Sequence, residues 1–157
     1  MSALHELTVE RVMDAPVSAV WRAWTDHLAE WWCPKPWTTE VIEVDLRPGG
    51  RAAMVMRGPD GEGGDPMDCV FLEVVPERRI VFTNALTADW QPRDPEPVMI
   101  VGYFVFEPDG DRTRYTAGAR HWSAEAMAAH AEMGFAEGWG MVADQLEAVA
   151  RRVAASG

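Results

Sequence analysis

The sequence is poor in positive charge. Lysine and arginine together number 14 against 25 aspartates and glutamates, the formal net charge is −11, and Lys35 is the single lysine. A protein that binds a nucleic-acid backbone needs lysine and arginine to replace the counterions of the phosphates, and an anionic membrane surface attracts the same residues. The composition therefore argues against both kinds of partner.

Long apolar runs and cysteine pairs are missing too. No run approaches the roughly 18 residues that indicate a membrane-spanning helix, and residues 1–7 lack the basic and hydrophobic regions of a signal peptide. The two cysteines, Cys33 and Cys69, have no CxxC partner, so we interpret them as free thiols. These features predict a cytoplasmic protein, and the length of 157 residues predicts a single domain spanning 1–157.

Motifs for metal, cofactor and covalent chemistry are also absent from the sequence. The histidines His5, His27, His121 and His130 do not show the spacing of a zinc-binding helix. The Gly49–Gly50 turn is not followed by the lysine and hydroxyl residue of a phosphate-binding loop. No Ser–His–Asp set or cysteine nucleophile motif is visible. We therefore expect neither a metal nor a cofactor.

The N-terminal part predicts one strand followed by two short helices. Alternating residues indicate a strand that ends near Met13. Pro16 suits the first turn of a helix with one apolar face. Asp26 can cap a second short helix, which Pro34 and Pro36 end. The apolar face of the first helix, which we assign to the core, consists of Val17, Val20, Trp21 and Trp24.

The middle of the chain, Thr38–Arg120, predicts six short strands joined by turns. Ile42 and Val44 alternate with acidic residues, which predicts that the first of these strands has one face in water. We place a later strand at Cys69–Val75, and Leu86–Pro97 reads as a long loop and a candidate lid. The turns are predicted at Arg47–Gly50, Gly58–Gly64, Pro76–Arg78 and Pro108–Asp111.

The last third of the chain, from Ser123 onward, has one long helical pattern. Ser123 can cap the helix. Gly134, Gly138 and Gly140 weaken its middle by about 1 kcal/mol each relative to alanine. Close approach of the sheet or of a ligand would compensate, as would a break near Gly134 into two helices. The apolar stripe of this pattern is Phe135, Trp139, Val142, Leu146, Val149 and Val153.

This order of elements predicts an α+β fold. A strongly curved antiparallel sheet of about seven strands wraps around a long C-terminal helix, and two short helices follow the first strand. The sheet and the helix would enclose a cavity between them.

Several segments, spread over nearly the whole chain, occur in the order seen in a known family. They are Ala15-Pro16, Val20–Asp26, Trp31–Pro34, Val44–Gly50, Glu73–Thr83, His130, Gly134-Phe135 and Gly138-Trp139. The chain resembles the activator-of-heat-shock-protein-90-ATPase-like family, within the START and Bet v 1-like (SRPBCC) superfamily of helix-grip proteins. The resemblance implies the helix-grip fold.

The resemblance also implies three classes of function. Single-domain members generally look like small-molecule binding proteins, so we expect a binding protein for a small apolar or aromatic molecule. Relatives in the wider superfamily act as aromatases and cyclases, so a cyclase-, dehydratase- or hydrolase-type enzyme acting in the same cavity is an alternative. A co-chaperone-like interaction module is a further alternative. We take a homodimer as the default for a small chain of this kind.

Aromatic and methionine side chains are the candidates for the ligand-binding wall, because aromatic rings stack on apolar ligands and methionine adapts to varied shapes. Ordinary core packing explains the same residues equally simply. The candidates are Trp32, Trp37, Met54, Met56, Phe82, Trp90, Phe104, Tyr115 and Trp139.

Three residues are candidates for catalysis. His121 ends the last predicted strand and His130 follows on the helix, so both could orient or protonate a ligand carbonyl. Glu40 shares strand parity with Ile42 and Val44, and an acid turned toward an apolar cavity would have a raised pKa. The alternative is that the histidines serve structure and that Glu40 reaches solvent.

Overall fold

The computed structural model describes residues 5–156, with the Asp65 side chain excepted. It contains seven strands and four helices. In chain order they are β1 His5–Met13, α1 Val17–Asp26, α2 Leu28–Trp31, β2 Thr38–Val44, β3 Arg51–Arg57, β4 Gly63–Val75, β5 Arg79–Thr83, β6 Val101–Asp109, β7 Arg112–His121, α3 Ala124–Glu132 and α4 Phe135–Ser156.

The strands form one antiparallel sheet in the order β1-β7-β6-β5-β4-β3-β2. Helix α4 packs against β1, α1 and α2, so the sheet and the short helices surround it. This is the helix-grip fold that the sequence predicts. Between residues 5 and 156, no helix is both long enough and apolar enough to cross a membrane.

The inward face of strand β7 leaves part of the interior volume unfilled. Its inward face alternates Thr113, Tyr115, Ala117, Ala119 and His121, which are all at most 8% exposed. Tyr115 and His121 are the large side chains of this face, and Ala117 and Ala119 lie between them. The alanines leave volume between β7 and the helix that a larger side chain would occupy.

The C-terminal helical pattern is divided in two. Ser123 caps α3, since its Oγ accepts a hydrogen bond of 3.1 Å from the Ala126 amide. Gly134 has a φ of +94°, a left-handed conformation that interrupts the helix before α4 begins. The break near Gly134 is thus the alternative that the structure adopts. Gly140 lies under Arg11, whose guanidinium comes within 2.7 Å of the position a Cβ would occupy.

Strand β2 lies at one edge of the sheet and contains a β-bulge between Val41 and Glu43. A bulge adds one residue to a strand, so the side chains beyond it change faces. Glu40 lies on the face opposite the inward-facing Met54 and is exposed, and Ile42 is 46% exposed. The expectation that Glu40 turns toward the cavity in parity with Ile42 is therefore wrong.

The loop between β5 and β6 has the length and irregularity predicted for it, and specific contacts hold it against the sheet. Arg93 donates hydrogen bonds to the Asp68 carbonyl at 2.7 Å and to the Asn84 carbonyl at 3.2 Å. Trp90 packs on Gly49, with ring carbon Cζ2 3.1 Å from the position of a Cβ there. The loop therefore spans the gap between the β2–β3 turn and the end of β5.

Candidate functional site

A cavity of about 320 Å³ lies between the sheet and α4. This volume falls at the lower end of the roughly 300–1,000 Å³ typical of pockets for small organic molecules. Six of the nine candidate binding residues line it: Trp32, Met56, Phe82, Phe104, Tyr115 and Trp139. His130 also lines it, so the structure brings together residues from four strands, two helices and the segment that follows α2.

Phe104 is the centre of the aromatic wall. Its ring lies nearly parallel to those of Phe82, Trp139 and Tyr115, with centroid separations of 5.8, 6.1 and 6.3 Å respectively. Separations of this size are favourable for offset aromatic pairs. Phe82 and Phe104 stand on neighbouring strands and Trp139 stands on α4, so the stack joins the sheet to the helix. The wall offers flat apolar faces to a molecule in the cavity.

Three candidate binding residues lie elsewhere. Met54 faces inward but borders a separate narrow space of about 20 Å³, closer to α1. Trp37 follows two prolines, packs against Gly63 and borders a separate groove beside α2 and α4, because the chain turns there before entering the edge strand. Trp90 is 55% exposed on the β5–β6 loop. Met54 was predicted from its inward alternation with Met56, which gives the face of the strand but not the position along it. Trp37 and Trp90 were predicted from residue type and an approximate place in an irregular segment, and neither fixes the direction of a side chain.

Several wall residues were not predicted from the sequence. Met67 and Cys69 face the cavity from β4, which begins at Gly63 and not at Cys69 as predicted. The alternation of Met67, Cys69 and Phe71 was the signal that could have extended the strand. Asn84 also lines the wall, where its amide donates to the Val98 carbonyl at 2.6 Å and its Oδ1 accepts from the Ile100 amide at 3.0 Å. No sequence pattern indicated that role.

His121 and His130 form a contact pair beside the cavity. Nε2 of His121 lies 2.8 Å from Nδ1 of His130, and Nδ1 of His121 lies 2.8 Å from the backbone oxygen of His5. Both rings are nearly buried, at 8% and 9% exposed. The His130 ring also packs edge-on against Phe135, at a centroid distance of 5.1 Å. The two candidate histidines are therefore adjacent, although they come from different elements.

The three-membered chain of contacts fixes the tautomers of both neutral rings. A carbonyl oxygen only accepts, so Nδ1 of His121 carries the proton that it donates to His5. Nε2 of a neutral His121 is then an acceptor, and Nδ1–H of His130 must donate to it. A neutral His130 consequently keeps an unprotonated Nε2 as its second ring nitrogen. The pair gives the cavity a hydrogen-bond acceptor of defined position.

Burial keeps the polar groups of the wall uncharged. It lowers the pKa of His130, and the neighbouring His121 lowers that pKa further. Burial also raises the pKa of the Tyr115 hydroxyl and raises the pKa of the Cys69 thiol to about 12. Glu96, at the rim, forms an ion pair of 2.7 Å with Arg93. The interior of the cavity is therefore neutral, with few polar atoms.

The comparisons with known proteins agree with this architecture. The family described as Activator of Hsp90 ATPase homolog 1-like protein matches residues 14–151. A protein from Nitrosomonas europaea of known crystal structure is 38% identical, with 94% of each chain covered and a TM-score of 0.87. A protein from Arthrobacter aurescens, solved by NMR, is 29% identical, with 94% of this chain and 86% of that chain covered and a TM-score of 0.80.

A more distant likeness supports the fold alone. The AHSA1-like protein from Aeromonas hydrophila is 21% identical, with 94% of this chain and 92% of that chain covered and a TM-score of 0.69. No curated protein matches the chain. The family match covers most of the sequence, and the first structural relative is similar over nearly its whole length. The chain therefore belongs to the Activator of Hsp90 ATPase homolog 1-like family, within the Bet v 1-like (SRPBCC) superfamily.

Proposed function

We propose that this protein binds a small, largely apolar or aromatic molecule in the cavity between the sheet and α4. The observation that carries the proposal is the cavity of about 320 Å³ itself, with its wall of stacked aromatic rings. A close-packed interior has few voids larger than a water molecule. A space of this size with an apolar wall is favourable for an apolar guest and unfavourable for ordered water.

The chemistry of the wall supports the same proposal. Transfer of apolar surface out of water contributes about 25 cal/mol per Å², and the rings of Phe104 and Trp139 offer extended flat surfaces to a guest. The few polar atoms, at His130 and Tyr115, can orient it. A strongly charged guest would lose its hydration without finding an opposite charge in the interior.

Filling the cavity tests the proposal. Ala117 lines it from β7, so Ala117→Leu places three additional carbon atoms into the empty volume. Ala136→Leu makes the same change at an exposed position of α4 and serves as the matched control. Calorimetric titration with neutral two-ring aromatic molecules should show binding to the unmodified protein and to Ala136→Leu, with at least tenfold weaker binding to Ala117→Leu. Equal binding to all three proteins would rule out this cavity as the site.

One observation favours an enzyme as the second candidate. His121 orients His130, and an oriented histidine beside a cavity is the arrangement that general-base catalysis requires. In that case His130 would remove a proton from the bound molecule during a cyclisation or dehydration. Chromatography with mass detection after long incubation with a bound molecule decides between the two. A dehydration product is lighter by one water and a cyclised isomer of equal mass elutes separately. A new product that His130→Phe abolishes supports catalysis, and recovery of the starting molecule alone supports binding alone. The co-chaperone role, the homodimer and the cytoplasmic location stay predictions.

A further inference from the structure

Asn84 in the cavity wall is held by its bonds to Val98 and Ile100. Two further polar side chains of the wall, Tyr115 and His130, differ in how far their hydrogen bonds are already satisfied. Tyr115 is 1% exposed and lines the cavity, and its hydroxyl forms no hydrogen bond with another described residue. His130 is 9% exposed and lines the same cavity, with Nδ1 occupied by His121. Across the described part of the chain, nothing bonds to Nε2 of His130. The fully enclosed side-chain nitrogen and oxygen atoms without a partner among the described residues are Trp24 Nε1, Trp31 Nε1 and Thr39 Oγ1. The Tyr115 hydroxyl and Nε2 of His130 are not enclosed in this way, so both are accessible to a molecule in the cavity.

The two groups do not discriminate between ligands in the same way. A phenolic hydroxyl both donates and accepts, so Tyr115 can serve a ligand of either kind. His130 is more selective, because the contact with His121 and the His5 carbonyl leaves Nε2 as an acceptor only. The complementary ligand group is therefore a hydrogen-bond donor.

We propose that the cavity takes a hydroxylated aromatic molecule, of the phenol class, whose O–H donates to Nε2 of His130 while its ring stacks on the aromatic wall. This inference rests on the proposed binding function and adds the chemical class of the ligand. The ring of His130 lies 6.3 Å from that of Trp139, which is part of the wall, so one small molecule can contact both. A phenol is neutral near pH 7, as the uncharged interior requires.

Other ligand classes fit the acceptor less well. A carboxylate has no proton to donate, and it would need a protonated His130, which burial and His121 both disfavour. A ketone or aldehyde likewise presents only an acceptor. An ammonium group can donate, but its charge would be buried without a counter-ion, because Glu96, the acid that lines the cavity among the described side chains, is already paired with Arg93.

Three probes with the same two rings test the inference. They are 2-naphthol, 2-methylnaphthalene, in which a methyl group replaces the hydroxyl, and 2-naphthoate, which carries a carboxylate. Affinities come from NMR titrations that follow the indole N–H signals of Trp32 and Trp139, both in the cavity wall. We expect 2-naphthol to bind more tightly than 2-methylnaphthalene in the unmodified protein, and 2-naphthoate to bind most weakly.

His130→Phe keeps a flat ring and removes the acceptor. A buried hydroxyl without a partner is costly, so the preference for 2-naphthol over 2-methylnaphthalene should fall by about tenfold or more in this variant. His27→Phe is the matched control, since His27 lies outside the cavity beside Glu30, and it should leave the preference unchanged. If His130→Phe does not fold, the ranking of the three probes in the unmodified protein decides alone.

The outcomes separate the two proposals. Binding of 2-methylnaphthalene as tight as that of 2-naphthol, a preference that survives His130→Phe, or tightest binding of 2-naphthoate would each overturn the phenol inference and leave the binding function intact. Failure of both neutral probes to bind would overturn the binding function and, with it, the inference.

Discussion

The two ends of the interior are built from the same strands and differ in how they are filled. At the packed end, under α1 and α2, Trp24 is 3% exposed, Trp31 is 0% exposed and their centroids lie 5.6 Å apart. At the open end, under the start of α4, Ala117, Gly138 and His130 border the cavity. Side-chain size on a shared framework therefore decides whether the space holds protein atoms or a guest.

The largest loss of stability should come from truncating a side chain at the packed end of the interior. Trp31→Ala removes a buried ring that contacts Trp24 and Phe104, and it should lower the free energy of unfolding by about 3–5 kcal/mol. Urea denaturation measures it. Trp122→Ala is the matched control, because Trp122 is 60% exposed and its loss should change stability by less than about 0.5 kcal/mol. Similar losses in both variants would contradict the comparison of the two ends.

The next largest change in stability should come from enlarging one side chain at each end of the interior. Ala23 is 0% exposed on α1, so Ala23→Leu should overpack the packed end and cost about 1–3 kcal/mol. Ala117→Leu makes the same change beside the empty volume and should cost less than about 1 kcal/mol. Thermal unfolding of the two variants gives the comparison directly. A greater loss for Ala117→Leu would show that the open end is also tightly packed.

Substitutions at two glycines of the open end should change stability by about 1 kcal/mol each, in opposite directions. A Cβ on Gly138 would meet no other atom within 4 Å, so Gly138→Ala should stabilise α4 by roughly 0.5–1 kcal/mol through helix propensity. Gly134 has a φ of +94°, so Gly134→Ala should destabilise the protein by about 1 kcal/mol or more. Denaturant melts of both variants test the pair, and a gain in both would disprove the role of the break.

The smallest effect should be the pH dependence that His130 contributes. Its pKa in the folded protein is lowered, by burial first and by His121 second, so the unfolded chain takes up this proton at a higher pH than the folded protein does. Stability from this group is therefore complete above the unfolded pKa of about 6.5 and declines as the pH falls below it. Melts at pH 7.5 and pH 5.5 should show a smaller decline for His130→Phe than for the unmodified protein. An identical decline would assign it to other groups.

Local sequence patterns predicted most of the fold, because alternation, helical periodicity and turn residues reflect the backbone conformation of their own segment. Alternating residues predicted the opening strand β1, and the prolines and glycines marked the turns between strands. Gly134 was recognised as a point of weakness, but the choice between a break and a compensating contact depended on tertiary packing. The bulge in β2 could not be predicted, because no residue type requires one. Its extra residue changes the face of the strand on which Glu40 lies relative to the residues beyond the bulge.

The site could be predicted only in part, for the same reason. Residue type was enough to name Phe104 and Tyr115 as wall residues, and both line the cavity. The directions of Trp37 and Trp90 depend on irregular segments, where parity gives no information. The contact between His121 and His130 joins the end of a strand to the last turn of a helix, across a tight connection. No spacing rule for helices or strands describes that geometry.

Helix α3 has an unusual attachment to the rest of the molecule. All nine of its residues are described, and His130 is the one that is buried. A single imidazole thus anchors the helix, and Gly134 joins it to α4 through one left-handed residue. A ligand that donates a hydrogen bond to His130 would restrain the same side chain a second time. Ligand binding in the cavity should therefore slow hydrogen–deuterium exchange along α3 more than along α4.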